Sequence, residues 1–199
     1  MKKEISIIVF WGAIWGLVEA TLGYILHIIN LGFFNISGLI MFPIGFYFMN
    51  RAYKECNKIS VIFYVSIIAA FIKLTNLIIP GMIVMKVVNP ATAILLEGIC
   101  VLGIYKLFEK NNNYFKYILP ILVSLGWRGA YALLIKLSII SGTITYFNFI
   151  VLEGVINSVF IFTLLEVPEN RLKVIKTFKY PLGVSFSILA LAVVIQWIL

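Results

Sequence analysis

The chain has 199 residues, of which 62% are hydrophobic and 12% are charged, and its formal net charge is +8. A soluble domain carries about 45–50% apolar residues, so a chain this short could not bury so much apolar surface in water. The composition therefore predicts an integral membrane protein and excludes an ordinary soluble domain.

Seven apolar segments of roughly 18–25 residues predict an all-α, polytopic transmembrane bundle that forms one integral membrane domain over residues 1–199. The predicted spans are residues 5–29, 31–50, 59–79, 87–107, 118–140, 145–165 and 182–199. Six of them are expected to form the core. The seventh has no ionisable residue, and we expect it to pack peripherally and to contribute nothing to a binding site.

The basic residues fall unevenly on the two sides that these spans define. Twelve Lys and Arg residues lie on one side, beginning with Lys2 and Lys3, and the other side holds only Lys86. The positive-inside rule then places the N-terminus in the cytoplasm and, with seven spans, the C-terminus outside. The positive charge is a topology signal that also favours contact with anionic lipids, and it indicates no nucleic-acid partner. We expect a multi-pass protein of a prokaryotic cell membrane.

The first span, FWGAIWGLVEATLGYILH (10–27), carries an acid beside a stripe of small residues. Glu19 lies near the middle of the span and shares a helix face with Trp15. The small residues recur every fourth position, at Gly12, Gly16 and Ala20. Such a stripe permits close helix contact, so it either packs inside the bundle or docks a partner protein.

Five more ionisable residues fall within predicted spans, namely Lys73, Glu97, Arg128, Lys136 and Glu153. With Glu19 they make three acids and three bases, a balance favoured at low dielectric because an unpaired buried ion is costly. At a rise of about 1.5 Å per residue, all six lie from the membrane midplane outward. We therefore expect a polar cavity that opens to the outside. Snorkelling to the outer interface is the alternative for Lys73 and Lys136.

Aromatic and amide side chains accompany these charges at helical spacing. Trp127 and Tyr131 flank Arg128, and Asn157 lies one turn after Glu153. Aromatic walls with a few fixed polar groups are typical of a small-molecule site, although ordinary helix packing produces the same spacing. The predicted substrate-binding residues are Glu19, Trp15, Glu97, Arg128, Trp127, Tyr131, Glu153, Asn157, Lys73 and Lys136, with Arg128 next to Glu97 or Glu153.

A weak internal repeat relates spans 3–4 to spans 5–6. FIKLTNLIIPG (71–81) resembles LIKLSIISG (134–142), and LLEGI (95–99) resembles VLEGV (151–155). Each copy places a lysine near the outer end of its first helix and a Glu-Gly pair midway along its second. Chance similarity between two apolar segments is the alternative.

Motifs for catalysis, metal binding and nucleotide binding are missing from the sequence. His27 is the single histidine, and Cys56 and Cys100 lack metal-ligand spacing. The chain has no G-x-S-x-G elbow, H-E-x-x-H motif or P-loop. We therefore expect no metal, no cofactor and no ATP hydrolysis by this chain.

A small hydrophobic chain of about six helices, with an outward polar pocket and no nucleotide motif, resembles the substrate-binding S component of an energy-coupling factor transporter. The matching motif is GAIWGLVEA (12–20), in which Gly12, Gly16 and Ala20 stand for the Ala-xxx-Ala-like docking stripe of that family. The resemblance covers spans 1–6 in architecture and implies a transmembrane scaffold and two ATPases as partners. The seventh span departs from the usual six.

The predicted function is a membrane-embedded subunit that binds a small polar or zwitterionic micronutrient through an outward-facing pocket, with partner ATPases supplying the energy. Two alternatives stay open. One is a structural or assembly subunit of a larger membrane complex. The other is a small intramembrane enzyme acting on a lipid or isoprenoid, with Glu and Arg as acid–base and anion-holding groups.

Overall fold

The computed structural model of the protein describes residues 2–28, 36–108, 115–136, 147–166 and 181–199. Within these ranges the chain forms helices and no β-strand, which confirms the all-α prediction. Five helices are long and apolar enough to cross a membrane, as judged by length and composition, and the C-terminal helix is a shorter apolar one.

The helices are α1 (Lys2–Val18), α2 (Tyr24–Ile28), α3 (Ile36–Cys56), α4 (Ser60–Leu74), α5 (Val84–Phe108), α6 (Phe115–Lys136), α7 (Glu153–Glu166) and α8 (Leu182–Ile198). Three tighter or wider turns extend them: π-helical turns at Glu19–Gly23 and Asn148–Leu152, and a 3-10 turn at Thr75–Ile78. The first π turn joins α1 to α2, the second leads into α7, and the 3-10 turn continues α4. Each predicted span overlaps one of these helical stretches.

Helix α1 lies at the centre of the packing. It contacts α3, α4 and α8, while α4 packs on α5 and α6 packs on α7. Contacts of α3 with α4 and α7, and of α5 with α6, join the two helix pairs. Large side chains such as Trp15, Phe42 and Phe46 are fully buried among these helices. Inside a membrane such van der Waals packing is a main source of helix association.

The C-terminal helix α8 packs more closely than the expected peripheral helix. Its fully buried Ser185 hydroxyl lies 2.9 Å from the Ser6 hydroxyl and donates to the Ser6 carbonyl oxygen at 3.0 Å. The opposite face exposes Phe186 and Leu191. A hydroxyl or amide in an apolar helix gains hydrogen bonds only by facing the protein, so Ser185 and the amide Gln196 direct one face of α8 inward. The expectation that α8 contributes nothing to a site was wrong, because Gln196 lines the cavity described below.

The small-residue stripe of α1 is covered by α4. A Cβ atom on Gly12 would lie 2.5 Å from Ile68 Cβ and 3.0 Å from the Val65 carbonyl oxygen, and one on Gly16 would overlap Ile72. Internal packing is therefore the role that the structure gives to Gly12 and Gly16, where α4 fills the space that a partner helix would need, whereas Ala20 lines the cavity described below. The structure thus supports the packing alternative for these two glycines.

Basic residues gather at one end of the bundle, which we call the basic end. There Lys58 Nζ donates to Glu4 Oε2 at 2.6 Å, and the Tyr105 hydroxyl donates to Asn50 Oδ1 at 3.1 Å. These bonds tie the start of α1 to the start of α4, and the end of α5 to α3. The opposite end, where α5 begins near Lys86, is called the Lys86 end.

Candidate functional site

A cavity of about 670 Å³ opens at the Lys86 end of the bundle. Exposed side chains such as Met85 and Leu199 lie at its mouth, and buried ones such as Glu97 and Ile94 lie deeper. Its lining comes from helices α2 to α6, α8, the π turns beside α2 and α7, and the 3-10 turn after α4 with the segment that follows it. Its volume falls within the range of about 300–1,000 Å³ that is typical of small-molecule pockets.

Five buried polar side chains line this cavity, namely Glu19, Lys73, Asn76, Glu97 and Gln196. Within the described part of the chain, the three ionisable ones lie at neither hydrogen-bond nor ion-pair distance from another side chain. Asn76 Oδ1 and Gln196 Oε1 also lack a hydrogen-bond partner there. Buried polar groups are nearly always satisfied in folded proteins by protein groups or by water, so these side chains are available to bind water or a solute in the cavity.

The charges of the cavity do not balance. Glu19 lies within electrostatic range of Lys73 and of Glu97, and Glu97 also lies within range of the buried Arg128. Among the lining residues, two buried carboxyl groups therefore share the cavity with one buried ammonium group, and Lys86 stands exposed at the mouth. At the low dielectric of a protein interior, this excess of acid would act strongly on a bound solute.

Local helix geometry places Glu19. This residue opens the first π turn, and the Thr21 hydroxyl donates to the Leu17 carbonyl oxygen at 2.9 Å within the same stretch. A Cβ atom on Gly23 would lie 3.2 Å from Glu19 Oε1, so the carboxyl group extends along its own helix toward Gly23 and the Lys86 end. π turns inserted in α-helices occur frequently at functional sites.

Three aromatic rings form one wall of the cavity. The ring centroids of Trp127, Tyr131 and Phe149 lie 6.0–6.2 Å from one another. Phe42 supports Trp127 from within the core, with a centroid separation of 5.1 Å. These spacings are typical of packed aromatic clusters, so the wall is rigid and mostly apolar.

Behind this wall, Arg128 and Glu153 form a buried ion pair, in which Arg128 Nε and Nη2 have no hydrogen-bond partner among the described residues. Arg128 Nη1 donates to Glu153 Oε2 at 2.5 Å and to the Phe149 carbonyl oxygen at 3.1 Å. The guanidinium carbon lies 4.8 Å from the centroids of both Trp127 and Phe149, which adds cation–π contacts. The prediction that Arg128 lies beside Glu97 or Glu153 is confirmed, with Glu153 as the partner.

The predicted site residues divide into two groups. Those that line the cavity are Glu19, Lys73, Glu97, Trp127 and Tyr131. Those that do not are Trp15, Arg128, Glu153 and Asn157. Their expected place in the pocket lining is corrected, because each is used in helix packing: Trp15 lies against Gly45 of α3, and Asn157 Nδ2 donates to the Gly38 carbonyl oxygen at 3.2 Å. The side chain of Lys136 lies outside the described residues.

The predicted set missed most of the other lining residues, among them Asn76, Phe149 and Gln196. Asn76 follows Lys73 by three residues, and its depth in the span was the available signal. Gln196 is the one amide in the apolar C-terminal segment 182–199, and a lone amide in such a segment is a signal for an inward-facing position. Only the three-dimensional arrangement of the helices places Phe149 in the cavity lining.

A scan against protein-family models and searches of curated proteins and of solved structures found no match for the chain. Within the described ranges, no group of three or more His, Cys, Asp or Glu side chains is placed to hold a metal ion. The cavity chemistry therefore rests on carboxyl, ammonium, amide and aromatic groups, which are suited to holding a small organic molecule.

Proposed function

We propose that the protein is the substrate-binding subunit of an uptake system in a prokaryotic cell membrane, similar to the S component of energy-coupling factor transporters. In this proposal the chain crosses the membrane several times, the basic end faces the cytoplasm, and the cavity faces outside. The substrate is a small polar micronutrient. Partner ATPases, held on a transmembrane scaffold, supply the energy for its entry.

The cavity at the Lys86 end is the observation that supports this proposal. It opens away from the basic end, and the positive-inside rule assigns that side to the exterior. Ionisable residues within membrane helices are costly and usually mark a functional site. Glu19, Lys73 and Glu97 have this character, and a ligand entering from outside would provide the contacts that the protein does not.

A purely structural subunit is the less economical explanation of the same residues. Packing alone is better served by apolar side chains of similar volume than by unpaired buried charges. The Arg128–Glu153 pair suits a structural role, but the cavity residues make no comparable contact. The proposal also assigns scaffold docking to a surface other than Gly12 and Gly16, since α4 covers these two glycines.

Affinity purification of the full chain from its native membrane tests the partner assignment. We expect two ATPase subunits and a transmembrane scaffold to elute with it, together with ATP hydrolysis. Gly12→Leu should lower the amount of folded chain, because Ile68 occupies the space, while the exposed-site control Val159→Leu should not. Elution with other membrane proteins and no ATPase would favour the assembly-subunit alternative.

Reporter fusions at the two termini test the orientation. We expect an N-terminal reporter to be active in the cytoplasm and, with seven spans, a C-terminal one to be active outside. Activity of the C-terminal reporter in the cytoplasm would mean that one of the predicted spans does not cross the membrane.

A further inference from the structure

Building on the proposed function, we infer that the ligand of this cavity is an organic cation that donates N–H hydrogen bonds, a primary amine or an amidine on a compact aromatic or apolar body. The inference narrows the broader expectation of a polar or zwitterionic substrate. It draws on three independent features of the cavity: its charge, its hydrogen-bonding groups and its aromatic wall.

The charge of the cavity is decided by the position of Arg128. From the sequence, this arginine was available to hold a ligand carboxylate, but its guanidinium is bound to Glu153 and enclosed between two rings. Lys73 is the remaining buried cation of the lining, and Glu19 lies within its electrostatic range. Arg128 lies within electrostatic range of Glu97 as well as Glu153, so three buried carboxyl groups share two buried cations, and a positively charged ligand is the species that restores neutrality.

The hydrogen-bonding groups are mostly acceptors. Glu19 and Glu97 provide two carboxyl groups, which act only as acceptors once they ionise beside a bound cation. Asn76 Oδ1 and Gln196 Oε1 are buried and have no partner among the described residues. Lys73 alone among these five is restricted to donating. A ligand with several N–H groups would satisfy four acceptor side chains, whereas a carboxylate ligand would leave them unsatisfied.

The aromatic wall is suited to the same class of ligand. Trp127, Tyr131 and Phe149 present ring surfaces beside the acids. Cations are attracted to the faces of such rings, and apolar bodies pack against them. Arg128 holds Trp127 and Phe149 from the opposite side, so the wall is fixed before a ligand enters.

Four phenylethyl compounds of similar shape test the inference on the purified full chain in lipid nanodiscs. They are 2-phenylethylamine, trimethyl(2-phenylethyl)ammonium, 2-phenylethanol and 3-phenylpropanoate. We expect the amine at millimolar concentration to raise the thermal unfolding temperature most, and the quaternary cation, which lacks N–H donors, to bind about tenfold more weakly. Equal or greater stabilisation by the alcohol or the carboxylate, or none by the amine, would overturn the inference.

Matched variants show whether the amine binds in the cavity. Glu97→Gln and Gln196→Leu should each weaken it, the former by about 10- to 100-fold because a charge-assisted bond is lost. Lys73→Gln should strengthen amine binding, since a like charge is removed, and Lys58→Gln at the basic end is the control that should leave it unchanged. If Glu97→Gln fails to fold, the amine affinity of Gln196→Leu decides the test. Unchanged amine affinity in Gln196→Leu and in a folded Glu97→Gln would overturn the inference.

The two proposals fail differently. If the carboxylate binds and Lys73→Gln abolishes its binding, the cation class is wrong and the uptake role stands. If no probe binds, the cation class is again wrong, and co-purification with ATPases still decides the uptake role.

Discussion

The helix pairs α4–α5 and α6–α7 carry the same Glu-Gly pair in their second helix, yet they use the glutamate differently. In α6–α7, Arg128 of the first helix neutralises Glu153. Arg128 stands eight residues before Lys136, and the residue eight positions before Lys73 in α4 is Val65. With no cation there, Glu97 faces the cavity. A buried acid thus belongs to the packing where its own hairpin supplies the counter-ion, and is available to a ligand where it does not.

Gly98 and Gly154, which follow the two glutamates, occupy equivalent positions in the two hairpins but contact different neighbours. A Cβ atom on Gly98 would overlap the Ser66 hydroxyl and lie 2.6 Å from Ser66 Cβ. A Cβ atom on Gly154 would lie 2.7 Å from Leu125 Cδ2, the far end of a flexible side chain. In both hairpins the glycine permits close approach of the first helix. In α4–α5 the nearest atoms belong to the short Ser66 side chain, close to the backbone of α4, whereas in α6–α7 the nearest atom is the end of the Leu125 side chain.

Removing the cation from the α6–α7 pair should have the largest effect. Arg128→Met leaves Glu153 buried without its counter-ion, which should lower the free energy of unfolding by about 3–5 kcal/mol. Thermal unfolding of the purified protein in nanodiscs would measure this change. The double variant Arg128→Met/Glu153→Leu should regain most of the loss, because both charges are removed together. Unchanged stability in the single variant would mean that the pair is unimportant to the fold.

The glycine comparison predicts a smaller, asymmetric effect. Gly98→Ala should cost about 1–3 kcal/mol, because Ser66 can withdraw only if α4 shifts away from α5. Gly154→Ala should cost less than about 1 kcal/mol, since Leu125 can change rotamer. The same unfolding measurement compares the two variants. Equal losses would show that the two helix pairs pack with similar tolerance.

Neutralising the cavity acid should affect stability in the opposite direction from Arg128→Met. Glu97→Gln keeps the shape and removes an unpaired buried charge, so the protein should be unchanged or up to about 2 kcal/mol more stable. Ligand binding should fall at the same time, which would separate a binding residue from a packing one. A loss of stability as large as that of Arg128→Met would show that Glu97 has a structural counter-ion.

The exposed ion pair at the basic end should matter least. The Glu4 carboxylate, through its hydrogen bond and its charge, raises the pKa of Lys58 above the usual lysine value. Any stabilisation is therefore complete below the ordinary lysine pKa and is lost as the pH rises through the raised value. Lys58→Gln should shift the unfolding temperature slightly near neutral pH, and the difference should vanish in strongly alkaline buffer. A shift comparable to that of Arg128→Met would contradict this contrast between exposed and buried pairs.

Much of the helix arrangement was predictable because apolar run length depends on local composition. Each predicted span overlaps a described helix, although α3 ends at Cys56, later than the predicted end at residue 50. The π turns at Glu19–Gly23 and Asn148–Leu152 were not predicted, since a helix widens in response to tertiary contacts rather than to composition.

The sequence predicted which types of residue form the candidate site, but only partly which of them lie together. By itself, the sequence indicated that acids, bases and aromatic residues occur in one half of the predicted spans, because position along a helix sets depth. Only the tertiary structure decided which charges meet. Rotation of one helix against another brings Arg128 to Glu153 behind the ring wall, leaves Glu97 in the cavity, and turns Gln196 of α8 toward it. Pairing between helices depends on these rotations and on packing, which no single segment encodes.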